Sequence, residues 1–250
     1  MLGLPDGVRA CLFDLDGVLT ETATVHAAAW KQMFDDYLRS RTDPHGRPFR
    51  LFDVHQDYDQ CVDGKPRSDG VRDFLASRGV HLPEGGPDEP VDADTVHGLS
   101  QRKNDIVKRL IRENGVTAFP GSVVYVAAAK AAGMRRAVVS SSANCGEVLL
   151  AAGIADLFEA RIDGLVADRD HLAGKPAPDM FLAGAHALDV EPSAAAVFED
   201  ALAGVAAGRA GHFGYVVGVD RVGQAAALTA HGADHVVQDL SELLDNGRHP

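Results

Sequence analysis

The sequence predicts an α/β fold in which a doubly wound parallel sheet is interrupted by an inserted α-helical domain. Short apolar runs of strand length alternate with helical patterns from about residue 118 onward, which is typical of a parallel sheet. An earlier apolar run at 8–13 precedes a long segment, 21–117, that shows helical patterns and no strand pattern. We therefore expect a core domain formed by residues 1–20 and 118–250, with a helical domain inserted at 21–117.

The composition is that of a globular protein with an acidic surface. The 250 residues are 46% hydrophobic, which is enough for a sizeable core and argues against disorder. The formal net charge is -12, whereas proteins that bind nucleic acids or anionic membranes are usually basic. We therefore expect neither partner, and an anionic small substrate would need a local cluster of cations.

Cysteine use and the N-terminus indicate a cytoplasmic protein. The three cysteines are far apart and form no CxxC pair, which argues against a disulfide framework and a zinc site; they are Cys11, Cys61 and Cys145. Charged residues interrupt the N-terminal segment from Asp6 onward, and no run approaches the ~18 apolar residues of a membrane span. We expect reduced thiols in the cytosol and no contact with a membrane.

The first strand ends at two aspartates one residue apart. Asp14 and Asp16 follow the apolar run directly, and Gly17 allows the chain to turn away without covering them. Residues i and i+2 of a strand point to the same side, so both carboxylates can face one cleft. Their mutual repulsion favours a divalent cation, and magnesium is the usual choice beside phosphate. The alternative is an ordinary turn in which both aspartates are solvated.

Helices and strands can be placed along the rest of the chain from periodicity and turn residues. In the insertion we expect helices at 25–38, 71–77 and 93–114, with Thr24 and Gly115 as caps, loops at 41–48 and 82–90, and a turn at 62–70 that ends at Gly70. After residue 118 we expect helices at 122–132, 147–152, 180–188, 202–210 and 224–230, strands at 137–139, 195–198, 215–219 and 235–237, and a terminal helix near Leu240. His26 and Trp30 share one face of the first helix, where packing alone would account for them.

Three of the predicted strands end in polar side chains, and parallel strands bring their carboxyl ends to one edge of the sheet. The groups are Asp14 with Asp16, residues 140–144, and Glu199 with Asp200; Lys175 lies in a proline-rich loop. The carboxylates offer oxygen ligands for Mg²⁺, and Ser140 with nearby backbone N–H groups could hold phosphate oxygens. Lys175 would add a positive charge. Its surroundings lack the glycines and the Ser/Thr of a Walker loop.

In this order the four fragments resemble the haloacid dehalogenase superfamily. That superfamily has an apolar strand followed by DxDG, a strand ending in Ser or Thr, a lysine, and a strand ending in paired acids. The resemblance implies a Rossmann-like core with a helical cap domain inserted just after the first motif, which is where the helical segment lies here.

A closer resemblance is to the β-phosphoglucomutase subgroup. It rests on four stretches: residues 14–30, which include His26 and Trp30, and residues 102–105, 175–179 and 199–204. The chain departs from the subgroup at Ala143, where some members carry a lysine, and in extra cap sequence near 41–57 and 82–92. Both departures bear on which sugar phosphate is used.

The resemblance also implies roles for individual residues. Asp14 would be the nucleophile and Asp16 the general acid and base, with Mg²⁺ bound by Asp14, Asp16 through its backbone carbonyl, Glu199 and Asp200. His26 would link closure of the cap to the positioning of Asp16. The phosphate- and substrate-binding residues would be Ser140, Ser142, Asn144, Lys175, Gly64, Arg67, Lys103, Asn104, His26 and Trp30.

The activity implied is a magnesium-dependent interconversion of β-D-glucose 1-phosphate and D-glucose 6-phosphate. It would proceed through an aspartyl-phosphate, with glucose 1,6-bisphosphate as intermediate and activator, in a monomeric protein. The first alternative is a phosphatase of the same superfamily acting on a sugar phosphate or a phosphoglycolate-like acid. A catalytically silent phosphate-binding regulator is the other alternative, although such a protein would usually have lost a nucleophile or an acid.

Overall fold

The computed structural model describes residues 1–86 and 88–245, and the chain divides into two compact units. The core unit consists of Met1–Thr22 and Val116–Pro250, and the inserted unit of Ala23–Gly115. Among the described residues, no helix combines the length and the apolar character needed to cross a membrane.

The core unit contains a six-stranded, all-parallel sheet with the order β3-β2-β1-β4-β5-β6. The strands are β1 (Ala10–Phe13), β2 (Arg135–Val139), β3 (Ala160–Ile162), β4 (Ala195–Glu199), β5 (Tyr215–Val219) and β6 (His235–Val237). Strand β1 lies in the middle, where Leu12 pairs with Ala137 on one side and Val197 on the other. The strand order reverses at β1, so the loops after β2 and β4 both flank its carboxyl end. The predicted fold class is confirmed.

One set of helices packs against the sheet of the core unit, and another set makes up most of the inserted unit. They are α1 (Ala23–Arg39), α2 (Arg67–Ser77), α3 (Val96–Asn114), α4 (Pro120–Ala131), α5 (Cys145–Ala151), α6 (Gly164–Asp170), α7 (Asp179–Ala187), α8 (Leu202–Ala210), α9 (Ala225–His231) and α10 (Glu242–Asp245). Helices α1 to α3 belong to the inserted unit, which also has a π-helical turn at Tyr58–Val62.

Two elements of the core were not predicted from the sequence. Strand β3 has only three residues, one of them the charged Arg161, so it shows neither an apolar run nor clear alternation. Helix α6 has no fully buried residue; it begins where the Asp163 carboxylate accepts hydrogen bonds from the backbone of Leu165 and Val166. Neither element carries the apolar pattern on which sequence analysis depends.

Several predicted helix starts were wrong by two to four residues. Helix α1 begins at Ala23, so Thr24 lies inside it; the hydroxyl of Thr22, just before the helix, is bonded to Thr20 and Asp16. Helix α2 begins at Arg67, four residues before the predicted start, because Gly70 is part of the helix rather than a turn residue. A Cβ atom at Gly70 would lie 3.1 Å from the Trp30 ring, so this glycine permits close helix packing.

The predicted cap at Gly115 is confirmed, since it ends α3 with a φ of 73°.

The inserted unit is held together by an aromatic cluster around Phe34, which is fully buried. Its ring centroid lies 4.0 Å from that of Phe74, 5.1 Å from Trp30 and 5.4 Å from Phe52. These rings come from α1, α2 and the segment between them, so the cluster joins three parts of the unit. Aromatic pairs at such distances stabilise a core beyond the area that they bury.

We expect Phe34→Ala to lower the free energy of unfolding by about 3–5 kcal/mol, because it leaves a cavity among three rings. Trp30, the chain's one tryptophan, stacks on Phe34, so its fluorescence during urea unfolding reports on this unit. Val91→Ala, at a side chain that is 50% exposed, is the control and should cost less than about 0.5 kcal/mol. Equal losses in the two variants would contradict the assigned role of the cluster.

Candidate active site

The turn after β1 carries Asp14 and Asp16. The backbone N–H of Asp14 donates to the carbonyl of Phe198 at 2.9 Å, which continues the sheet pairing, and the N–H of Gly17 donates to Thr20 at 2.8 Å. Gly17 has a φ of 89°, and a Cβ atom there would overlap the Asp200 carboxylate. Only glycine therefore allows the turn that carries Asp14 and Asp16 to approach Asp200 this closely.

Lys175 is the central cation of the core unit. Its side chain has no solvent exposure, and its Nζ donates to Asp14 Oδ1 at 2.5 Å, to Glu199 Oε1 at 2.6 Å and to the carbonyl of Val139 at 3.2 Å. The other oxygen of Glu199 accepts from the N–H of Ala201 at 2.8 Å. One ammonium group thus connects the ends of β1, β2 and β4.

The charges of this cluster depend on one another. Burial raises the pKa of Asp14 and Asp16 raises it further, whereas Lys175 opposes the shift. Burial also raises the pKa of Glu199, to about 7, against the opposing effect of Lys175. Burial alone would lower the pKa of Lys175, but the two carboxylates raise it above its usual value, so the ammonium stays charged.

Three carboxylates of this edge could hold a metal ion. Single oxygens of Asp14, Glu199 and Asp200 all lie within 4.8 Å of one another. A set of carboxylate oxygens suits a hard cation such as Mg²⁺. The residues present therefore fit the predicted ion. Asp14 and Asp200 are the better candidates for direct contact, since both Glu199 oxygens already have partners within the protein.

The loop after β2 is folded by its own serines. Ser140 is buried, and its Oγ accepts from the N–H of Ser142 at 3.1 Å; Ser142 Oγ accepts from the N–H of Asn144 at 3.2 Å. Ser140 directly follows Val139, whose carbonyl contacts Lys175. Ser140 therefore lies beside the ammonium–carboxylate cluster, and its hydroxyl hydrogen can still be donated to a phosphate oxygen.

Several predicted substrate residues meet within the inserted unit. Lys103 Nζ lies 2.8 Å from His26 Nδ1 and 4.7 Å from the centre of the Trp30 ring, and Arg67 donates to the carbonyl of Ser100 at 3.2 Å. Burial, then Lys103 and Arg67, hold the pKa of His26 well below its usual value. His26 is therefore neutral, and its Nδ1 accepts from the Lys103 ammonium.

The two other predicted residues of this unit lie next to that group in sequence. Gly64 lies in the turn before α2, with a φ of 68°, and Asn104 follows Lys103 on α3, where it is half-buried. His26, Trp30 and Lys103 are thus neighbours in the structure, and their roles in binding substrate stay predictions.

Sequence analysis missed the loop at 220–224, which follows β5. Arg221 Nε donates to the carbonyl of Gly17 at 2.9 Å, and Gln224 Nε2 donates to the carbonyl of Asp200 at 3.0 Å. A signal was present, since a charged loop follows a predicted strand at the same edge of the sheet as the other site residues. That rule was applied to three strand ends and not to this one.

Comparison with known proteins places the chain in a family. The model of the haloacid dehalogenase-like hydrolases matches residues 8–212. The chain belongs to the haloacid dehalogenase-like hydrolase family. The resemblance to this superfamily and to its β-phosphoglucomutase subgroup is therefore confirmed.

Relatives with a named activity include several β-phosphoglucomutases. The chain is 56% identical to the β-phosphoglucomutase of Mycobacterium tuberculosis strain CDC 1551, over 98% of this chain and 94% of that protein. It is 29% identical to that of Bacillus subtilis, over 94% and 92%. Among solved structures, β-phosphoglucomutase from Clostridium difficile has a TM-score of 0.75 and 25% identity, over 94% and 93% of the two chains.

We expect Lys175→Met to destabilise the protein by about 3–5 kcal/mol, because it leaves two buried carboxylates without their cation. The pKa of each carboxyl should then rise further above its unfolded value, which is 4.5 for Glu199. The folded variant would hold more protons than the unfolded chain, so its stability should fall as the pH rises from about 5 to 7. Urea unfolding in EDTA at several pH values measures this.

The matched control for this prediction is the double variant Lys175→Met/Glu199→Gln, in which a neutral amide replaces one unpaired carboxylate. It should recover part of the lost stability and show a weaker dependence on pH. A double variant that is less stable than Lys175→Met at pH 7 would contradict the assigned electrostatics.

Proposed function

We propose that this protein is a magnesium-dependent β-phosphoglucomutase, which interconverts β-D-glucose 1-phosphate and D-glucose 6-phosphate. The observation that carries the proposal is the buried Lys175 between Asp14 and Glu199, in a chain that is 56% identical to a β-phosphoglucomutase. Burial raises the pKa of Asp14, and the Lys175 ammonium opposes that rise, which favours the ionised form that a nucleophile requires. Asp16 lies two residues further along the turn.

In this mechanism Asp14 attacks the phosphorus of a bound bisphosphate, an Oδ–P bond forms and the P–O bond to the sugar breaks. Asp16 gives a proton to the departing sugar oxygen, and an aspartyl-phosphate results. When β-D-glucose 1-phosphate then presents its free 6-hydroxyl group, Asp16 takes the proton from that oxygen as it attacks the phosphorus. The Oδ–P bond breaks, which restores the free Asp14 carboxylate and gives the bisphosphate.

Other residues bind the reacting phosphate. Ser140 donates a hydrogen bond to one of its oxygens, and the nearby Lys175 ammonium offsets negative charge as it develops. Mg²⁺, which Asp14, Asp200 and the Asp16 carbonyl would hold near Glu199, supplies further neutralisation of the phosphate charge when bound.

We further propose that the cations of the inserted unit bind the far phosphate of the bisphosphate. Arg67, Lys103 and Asn104 supply donors, and both cations lie close enough to His26 to lower its pKa. Because His26 is neutral, the cluster keeps two positive charges for an anion. The remaining substrate contacts are assigned to Ser142, Asn144, Gly64, His26 and Trp30.

The runner-up is a sugar-phosphate phosphatase with the same core. One relative, the validoxylamine A 7'-phosphate phosphatase of Streptomyces hygroscopicus, is 29% identical over 94% of this chain. The same nucleophile and acid would serve hydrolysis if water attacked the aspartyl-phosphate. We also propose a cytoplasmic location, since the three cysteines are buried free thiols, and a monomeric state.

The deciding assay supplies β-D-glucose 1-phosphate with Mg²⁺ and a trace of glucose 1,6-bisphosphate, and follows glucose 6-phosphate and inorganic phosphate together. The proposal predicts glucose 6-phosphate with little phosphate release, and stimulation by the bisphosphate. Phosphate release without isomerisation would establish the phosphatase instead.

We expect Arg67→Ala to lower kcat/KM for isomerisation by about 10- to 100-fold, since it removes a charge-assisted contact to the far phosphate. Hydrolysis of p-nitrophenyl phosphate, which has a single phosphate, should change much less. Both rates are measured on the same protein preparation at saturating Mg²⁺.

The control is Arg109→Ala, at an exposed arginine of α3 that bonds to Gln32. It removes the same charge from the same unit and should leave both rates close to those of the wild type. Equal losses of isomerisation and hydrolysis in Arg67→Ala would overturn the role assigned to Arg67.

A further inference from the structure

We propose that Arg221 and Gln224, which lie in the loop at 220–224, are positioning residues for the metal site. Each side chain holds the backbone of one of the two segments that carry the carboxylates, residues 14–17 and residues 199–200. The inference rests on the proposed function in one respect, the binding of Mg²⁺ by Asp14 and Asp200. It does not depend on which substrate the protein uses.

Arg221 holds the turn after β1. Its Nε donates to the carbonyl of Gly17, the residue next to Asp16, at 2.9 Å. A second nitrogen anchors the side chain at the end of β6, through the carbonyl of Gln238 at 2.7 Å and the Asp239 carboxylate at 3.3 Å. The guanidinium also lies 3.7 Å from the centre of the Phe119 ring, so its position is fixed on several sides.

Gln224 holds the other acidic segment. Its Nε2 donates to the backbone carbonyl of Asp200 at 3.0 Å. The loop that carries both side chains is itself rigid, because the Asp220 carboxylate accepts from the backbone N–H groups of residues 222–225 at 2.7 to 3.2 Å. One preorganised loop thus forms hydrogen bonds to both segments that carry the carboxylates, at Gly17 beside Asp16 and at Asp200.

These two segments of the chain have little freedom to shift relative to each other. The backbone of Gly17 lies so close to Asp200 that an added Cβ atom would overlap its carboxylate. A small movement of either segment therefore changes the separation of Asp14 from Asp200. Magnesium requires near-ideal octahedral geometry, so its affinity should be sensitive to such a movement.

The third nitrogen of the Arg221 guanidinium, Nη2, indicates that stability alone does not explain an arginine at this position. Within the described part of the chain, Nη2 of Arg221 is buried and has no hydrogen-bond partner. A buried donor without a partner lowers stability, whereas an apolar side chain of similar length would not incur this loss. The contact with Gly17 gives a reason for an arginine at this position.

The test is calorimetric titration of the substrate-free protein with Mg²⁺, for Arg221→Met, Gln224→Met and the wild type. We expect each variant to raise the Mg²⁺ dissociation constant by about 10- to 100-fold, as loss of a residue supporting metal ligands typically does. Arg221→Lys keeps a donor and should recover part of the affinity. At saturating Mg²⁺, KM for the sugar phosphate should stay within about threefold of the wild-type value.

Arg209→Met is the matched control. Arg209 also joins a core helix to a loop, through the carbonyl of Gly232 at 2.8 Å and the Asp234 carboxylate at 2.6 Å. Neither Gly232 nor Asp234 is a candidate metal ligand. Its loss should lower stability without changing the affinity for Mg²⁺.

The outcomes separate this inference from the proposed function. If the wild type binds Mg²⁺ and both Met variants match Arg209→Met in affinity, the inference is wrong and the proposed function stands. A wild type that binds no Mg²⁺ would overturn both. If the variants lose affinity in a protein that shows no isomerisation, the positioning role is supported and the proposed substrate is wrong.

Discussion

The structure depends on one buried ammonium group. Lys175 contacts Asp14, Glu199 and the carbonyl of Val139, and so joins the ends of three strands at a point without solvent. Isolated carboxylates could not stay ionised at this depth, because burial alone would raise their pKa values. The ammonium in turn keeps its charge through those carboxylates. The cluster is therefore stable only as a unit, and the residue that would attack phosphorus belongs to the same unit.

The sheet order explains why the site could be predicted from distant parts of the sequence. Strand β1 lies between β2 and β4, so polar residues that follow these strands must meet at one edge, whatever their separation in the chain. Asp14, Ser140 and Glu199 were found by this rule, whereas Lys175 lies in a loop that follows no predicted strand. The rule also covers β5, and the contacts of Arg221 and Gln224 there could have been anticipated as a location but not as particular hydrogen bonds.

The remaining errors have local causes. Strand β3 and helix α6 are short and lack an apolar pattern, and α6 begins through hydrogen bonds of Asp163 rather than through periodicity. Gly70 indicated a turn, yet it lies inside α2, where an added Cβ atom would come within 3.1 Å of the Trp30 ring. Helix α6 thus begins through local hydrogen bonds, whereas Gly70 packs against a residue that is distant in sequence. The neutral state of His26 likewise follows from burial and from Lys103 and Arg67, which spacing alone does not reveal.

The central claim is that Asp14 accepts the phosphoryl group. The most direct test is to incubate the protein with Mg²⁺ and ³²P-labelled glucose 1,6-bisphosphate, quench it in acid within milliseconds, and map the label by peptide mass spectrometry. The account predicts a hydroxylamine-sensitive acyl phosphate on Asp14 in the wild type and no label in Asp14→Asn, with Asp16 unlabelled in both. A label on Asp16 or Ser140, or one that persists in Asp14→Asn, would contradict it.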